Sequence, residues 1–101
     1  MKYITGEDAF CNVAGTHFQG YIKARYSKLV ELFGESWDVD DGKTDANWYI
    51  RFEDGTVATI YNWQDGYNYC GEDGLDVKYI GQWNVGGHSA KALALVKSVL
   101  L

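Results

Sequence analysis

The chain contains no proline among its 101 residues. Its turns therefore rest on twelve glycines and on Asn and Asp. Cysteine and histidine are scarce, with only Cys11, Cys70, His17 and His88. One cysteine pair makes no disulfide framework, and no CxxC or Cys/His cluster has metal-ligand spacing. No metal and no cofactor is expected. Long apolar runs are also missing. The most apolar stretch, Ala90–Leu101, is broken by Lys91 and Lys97 and is too short to cross a bilayer. Met1-Lys2-Tyr3 leads into Glu7-Asp8 without the apolar stretch of a secretory signal. A cytoplasmic chain that stays out of the membrane is expected.

Aromatic residues are abundant. Four Trp, eight Tyr and four Phe make up 16% of the chain, and hydrophobic residues 47%. Such a composition excludes a disordered chain. The length corresponds to one domain, residues 1–101. Tyr and Trp fill cores, and they also favour binding surfaces.

Charge is unevenly placed. The net charge is −5, yet Glu35 to Asp76 holds eleven acids against two bases, Lys43 and Arg51. The rest of the chain holds seven bases against three acids. An acidic middle argues against direct contact with nucleic acid. It fits a protein partner with a basic surface, including one that normally holds nucleic acid. A solvated, solubilising face is the alternative.

The pattern predicts an α+β fold: a three- to five-stranded, mainly antiparallel sheet with two or three short helices packed on it. Lys2–Ile4 reads as a strand, and Thr5 as the cap of a helix from Gly6 to Ala14. Phe18–Arg25 reads as a strand, and Ser27 as the cap of a helix over Lys28–Phe33. Asn47–Glu53 and Thr56–Trp63 flank Asp54-Gly55, a two-residue hairpin signal. That turn would set Phe52 opposite Val57, Ile50 opposite Thr59 and Trp48 opposite Tyr61. Lys78–Val85 reads as a further strand with Tyr79, Gly81, Trp83 and Val85 on one face. Gly86-Gly87-His88-Ser89 would turn sharply into a helix, Ala90–Leu100, with Leu93, Val96, Val99 and Leu100 buried.

Three places could carry function. The first is acidic and aromatic: Trp37, Asp38, Asp40, Asp41 and Asp45 in one loop, Tyr67, Glu72 and Asp73 in another. These would bind a basic partner, with Trp37 or Tyr67 as the anchor. The second is Gly86, Gly87, His88 and Ser89, where glycine N–H groups at a helix start can hold a phosphate. An ordinary connection capped by Ser89 is the other reading. The third is aromatic: Tyr61, Trp63, Tyr67, Tyr69 and Trp83, which either line a pocket that stacks on a ring or belong to the core. Gly42-Lys43-Thr44 lacks the upstream glycine of a phosphate-binding loop. Asp38-x-Asp40-Asp41-Gly42 lacks the glutamate that closes a calcium loop. No catalytic constellation stands out.

Tyr26-Ser27-Lys28-Leu29-Val30-Glu31-Leu32-Phe33-Gly34 is followed by Trp48-Tyr49-Ile50-Arg51-Phe52 and then by Asp54-Gly55-Thr56-Val57-Ala58-Thr59-Ile60-Tyr61-Asn62-Trp63. Trp83-Asn84-Val85-Gly86-Gly87-His88-Ser89 completes the string. In this order, from about Phe18 onward, they resemble small proteins encoded by bacteriophages and other mobile elements. The pattern has proline where this chain has Ser36, and Ile where it has Val85. The resemblance implies origin more than activity. Small acidic phage proteins without enzymatic motifs look like antagonists of host defence, either anti-CRISPR proteins or proteins that sequester signalling nucleotides. Three readings follow: an inhibitor of a host defence protein, a nucleotide-like ligand binder, and an enzyme on such a ligand with His88 as base. An edge strand and a spare aromatic face also fit a homodimer.

Overall fold

The structure is a computed structural model that describes residues 2–9, 14–36, 46–62 and 77–101. Five strands form one sheet: β1 (Tyr3–Thr5), β2 (His17–Lys23), β3 (Asn47–Phe52), β4 (Val57–Tyr61) and β5 (Gln82–Gly87). Their order across the sheet is β1-β3-β4-β5-β2, and every neighbouring pair is antiparallel. Two α-helices, α1 (Tyr26–Phe33) and α2 (Ala90–Leu100), complete an α+β fold. Short 3-10 turns cover Gly6–Ala9 and Val77–Tyr79.

Both α-helices lie on the same sheet face. Trp48, Ile50 and Phe52 of β3, Ala58 and Ile60 of β4, and Trp83 and Val85 of β5 form that face. Leu29 and Phe33 of α1 and Ala92 and Val96 of α2 close over them. Trp48 and Trp83 are fully buried and meet edge to face, with ring centroids 5.2 Å apart. An indole N–H is costly to bury unpaired. Trp48 Nε1 donates to the Gly34 carbonyl at 2.8 Å, and Trp83 Nε1 to the Ala24 carbonyl at 3.1 Å. The two indoles thus hold the chain just before and just after α1. Tyr3 Oη adds a third tie, donating to the Leu32 carbonyl at 2.8 Å.

The hairpin differs from its sequence reading by one residue. Gly55 takes a φ of 90°, its N–H donates to the Phe52 carbonyl at 2.9 Å, and the Phe52 N–H donates to Thr56 O at 2.8 Å. The loop therefore has three residues, Glu53 to Gly55, with a left-handed glycine closing it. Arg51 now pairs with Val57, Ile50 with Ala58, and Trp48 with Ile60. A one-residue slip exchanges the faces of a strand. Ala58 and Ile60 go to the helices, while Val57, Thr59 and Tyr61 go to the second face.

Other boundaries also move. The Arg25 backbone takes the N-cap position of α1, and Ser27 lies inside the helix, so Ser27 is not the cap. Within the expected first helix, Gly6–Ala9 forms a 3-10 turn, and residues 10–13 lie outside the described residues. Lys78 and Tyr79 belong to a 3-10 turn, not to β5, and Tyr79 is 70% exposed. Gly86 and Gly87 lie within β5, not in a turn. Ser89 does cap α2, accepting from the Lys91 N–H at 3.3 Å. The residues of α2 buried deepest are Ala92 and Val96, whereas Leu93, Val99 and Leu100 are half-buried. A Cβ at Gly87 would collide with that of Ala92, so the glycine lets the helix approach too closely for a larger residue than alanine.

Candidate functional site

Two acidic segments join this framework at one corner. Residues 37–45 and 63–76 carry four acids each, eight of the fourteen in the chain. The first leaves after Ser36, whose Oγ is 3.2 Å from Tyr26 Oη, and returns at Ala46. The second leaves after Asn62. The Ala46 N–H donates to Asn62 Oδ1 at 2.9 Å, with Asn62 only 1% exposed. A buried amide bond therefore ties the start of β3 to the end of β4. The second segment returns at Val77–Tyr79, which packs against α1. Tyr26 of α1 lies against both Trp48 and Trp83, so all four points of attachment surround one aromatic corner. Trp37, Asp38, Asp40, Asp41, Asp45, Trp63, Tyr67, Tyr69, Glu72 and Asp73 themselves lie outside the described residues.

Beside that corner, the second sheet face carries an aromatic groove. One cross-strand row runs Asn47, Tyr61, Asn84, Tyr21, and the next runs Tyr49, Thr59, Gly86, Phe18. Among the described residues, Phe18, Tyr21, Tyr61 and Asn84 line a groove of about 360 Å³. Gly86 lies in the neighbouring row, between Thr59 and Phe18. A Cβ there would stand 2.6 Å from Thr59 Oγ1 and 3.5 Å from the Tyr61 ring. Phe18 and Tyr21 are 50% and 55% exposed, and their rings meet edge to face at 4.9 Å. Burial pushes the Tyr61 phenol above its ordinary value, and the nearby Tyr21 phenol adds in the same direction. The Tyr61 phenol is thus a neutral hydrogen-bonding group at physiological pH.

A bulge in β2 assembles the aromatic pair. Residues three apart in a regular strand point to opposite faces. The register shifts between Phe18, opposite Gly86, and Gly20, opposite Val85, leaving Gln19 as the extra residue. Gln19 Nε2 donates to the Gly87 carbonyl at 3.0 Å, which holds the bulge in place. Gly20 then faces the helices, where a Cβ would stand 2.6 Å from Leu93. Of these groove residues, the sequence singles out Tyr61 as a ring-stacking candidate. Phe18, Tyr21 and Asn84 escape it, because a loose alternation does not reveal the bulge. The Gln19-Gly20 pair in mid-strand is the signal that could have found them.

The glycine-rich stretch is built for packing. Gly86 and Gly87 are paired on both sides, with Phe18 and His17 of β2 and with Thr59 and Ala58 of β4. This arrangement is a strand interior rather than a phosphate loop. His88 and Ser89 follow at the surface, lining a cleft with Asp54, Gly55, Thr56 and Val57. A carboxylate already stands there. The Lys91 side chain pairs with Asp54 and, with the Thr56 backbone and side chain, lowers its carboxyl to about 2. A second anion would meet that charge. Of the ring-stacking candidates, Trp83 belongs to the core.

Among the described residues, no group of three His, Cys, Asp or Glu could hold a metal. Nor is any described helix long and apolar enough to cross a membrane. Compared with protein families, curated proteins and solved structures, the chain matches none of them.

Proposed function

We propose that this chain is a binding protein of the bacteriophage type that inhibits a host defence protein by covering a basic surface on it. The observation that supports this reading is the shared attachment of both acidic segments. The Ala46–Asn62 hydrogen bond ties their stems together, so eight carboxylates are tethered to one corner of the fold. Charge concentrated in this way steers association with a basic surface and speeds encounter. Trp37 and Tyr67 belong to the same segments and supply the aromatic anchors that interface hot spots favour.

Reversing Asp38, Asp40 and Asp41 to lysine tests the reading. Association with a partner captured from a bacterial host should slow by about tenfold or more, and its rate should depend less on salt. Equal rates and equal salt dependence in the variant and the parent would remove the acidic segment from the mechanism.

A further inference from the structure

The sheet ends at β2, with β5 on one side and no strand paired to its other side among the described residues. In an antiparallel pair, alternate residues turn both backbone groups towards the neighbour or away from it. The Ala24 N–H donates to the Gly81 carbonyl at 3.1 Å, which fixes the phase. Ala24, Ile22 and Gly20 face β5, so Tyr21 and Lys23 direct their N–H and C=O groups outward. Both residues are exposed. The bulge at Gln19 ends this regular stretch on one side, and the approach to α1 ends it on the other. The open edge therefore runs over residues 20–23.

An open edge accepts another strand, and its side chains decide which. Tyr21 and Lys23 are two residues apart and share the second sheet face. Residues 9–30 hold three bases, Lys23, Arg25 and Lys28, and no acid. Lys28 pairs with Glu31 at 3.7 Å, whereas Lys23 and Arg25 are exposed and make no ion pair among the described residues. Gln82, which pairs with Lys23 from β5, is neutral. A carboxylate on an added strand would gain a cross-strand partner in Lys23, and a base there would be repelled. Two copies of the chain joined through β2 would bring both sets of Lys23 and Arg25 to one seam, so like charge works against that dimer. On the helix face of the edge, Ile22 is buried and Leu93 of α2 lies over Gly20. An apolar side chain suits that side.

We infer that the outer edge of β2 receives an extended acidic segment of a partner protein, which adds a strand to the sheet. Tyr21 and Lys23 supply the backbone hydrogen bonds. Lys23, with Arg25 two residues on, selects carboxylates on the incoming strand, and Tyr21 pairs across to an aromatic or β-branched residue on the same face. The site shares no residue with the acidic segments and stands whether or not they meet a basic surface.

The test uses the full chain and short synthetic strands. Acetyl-Glu-Val-Tyr-Val-Glu-amide and acetyl-Lys-Val-Tyr-Val-Lys-amide are titrated separately while NMR follows the Tyr21 and Lys23 amide protons. The acidic peptide should shift both saturably, slow their exchange with solvent, and bind at least about threefold more tightly than the basic one. Lys23→Glu should reverse that preference. Its side chain is exposed, and the spectrum of the variant reports directly whether it is folded. Residues of an added strand whose side chains share the face of Tyr21 also turn their amides to β2. Methylating the peptide's tyrosine nitrogen should therefore abolish binding, and methylating a valine nitrogen should leave it within about twofold. No response of the two amides, equal affinity for acidic and basic peptides, or equal affinity for the two methylated forms would overturn strand addition at this edge. So would the same shifts on raising protein concentration alone, which would give the edge to a second copy of the chain. Failure here would leave the charge-reversal test of the acidic segments standing, and failure there would leave this titration intact.

Discussion

Two glycines, Gly55 and Gly87, illustrate different physical demands at the scale of single residues. Gly55 sits at φ 90° with nothing within 4 Å of a would-be Cβ. Gly55→Ala should therefore cost about 1–2 kcal/mol through backbone strain alone. Gly87 has room for a side chain only if α2 retreats, because Ala92 occupies the space. Gly87→Ala should cost about 1–3 kcal/mol as overpacking, and Ala92→Gly should recover part of it. Chemical denaturation of the single and double variants separates these causes. Asn62 is the third residue of this kind. Asn62→Ala leaves the buried Ala46 N–H without its acceptor and should cost about 1–3 kcal/mol.

Asp54 gives a pH dependence with a definite sign. Its carboxyl falls from 3.8 to about 2 in the fold, chiefly through the Lys91 side chain and the Thr56 N–H. A carboxylate with a lowered folded pKa stabilises the fold above its unfolded value, and that contribution fades as pH falls towards the folded one. Between pH 3.8 and about 2, Asp54→Asn should lose stability less steeply with acid than the parent. Parallel melting curves across that window would contradict the assignment.

Strand register and the bulge govern the elements. The hairpin's existence was legible in two β-rich runs around Asp54-Gly55, but its register was not. β4 is buried along both faces from Val57 to Ile60, so no strict polar alternation marks which side meets the helices. The turn then decides, and Gly55 closes a three-residue loop where Asp-Gly suggests two. Register matters to the site because the observed slip sends Tyr61 to the groove. For α2, the Ser89 cap was legible from its position before an apolar run. Ala92 was not, since its burial comes from the space that Gly87 leaves. The groove was the least legible part, because Phe18 and Tyr21 share a face only through Gln19. Deleting Gln19 should restore regular alternation and turn one ring away. The expected sign is loss of the close Phe18–Tyr21 ring contact, read from their aromatic NMR shifts.

Across the whole molecule, the aromatic core and the acidic charge occupy separate parts of the chain. Segments 37–45 and 63–76 hold eight of the fourteen acids, while of the nine bases only Lys43 lies in either segment. The attachment of both segments at one corner was not legible, because it depends on β3 and β4 pairing so that Asn47 meets Tyr61. That pairing brings together Ala46 and Asn62, the residues that flank the two acidic stretches. The most direct test of this account is native mass spectrometry of the tagged chain recovered from bacterial lysate, beside the Asp38, Asp40 and Asp41 reversal variant. The account predicts an added mass of protein size on the parent, sharply reduced on the variant. An added mass of metabolite size, or equal recovery of the same partner by both chains, would contradict it.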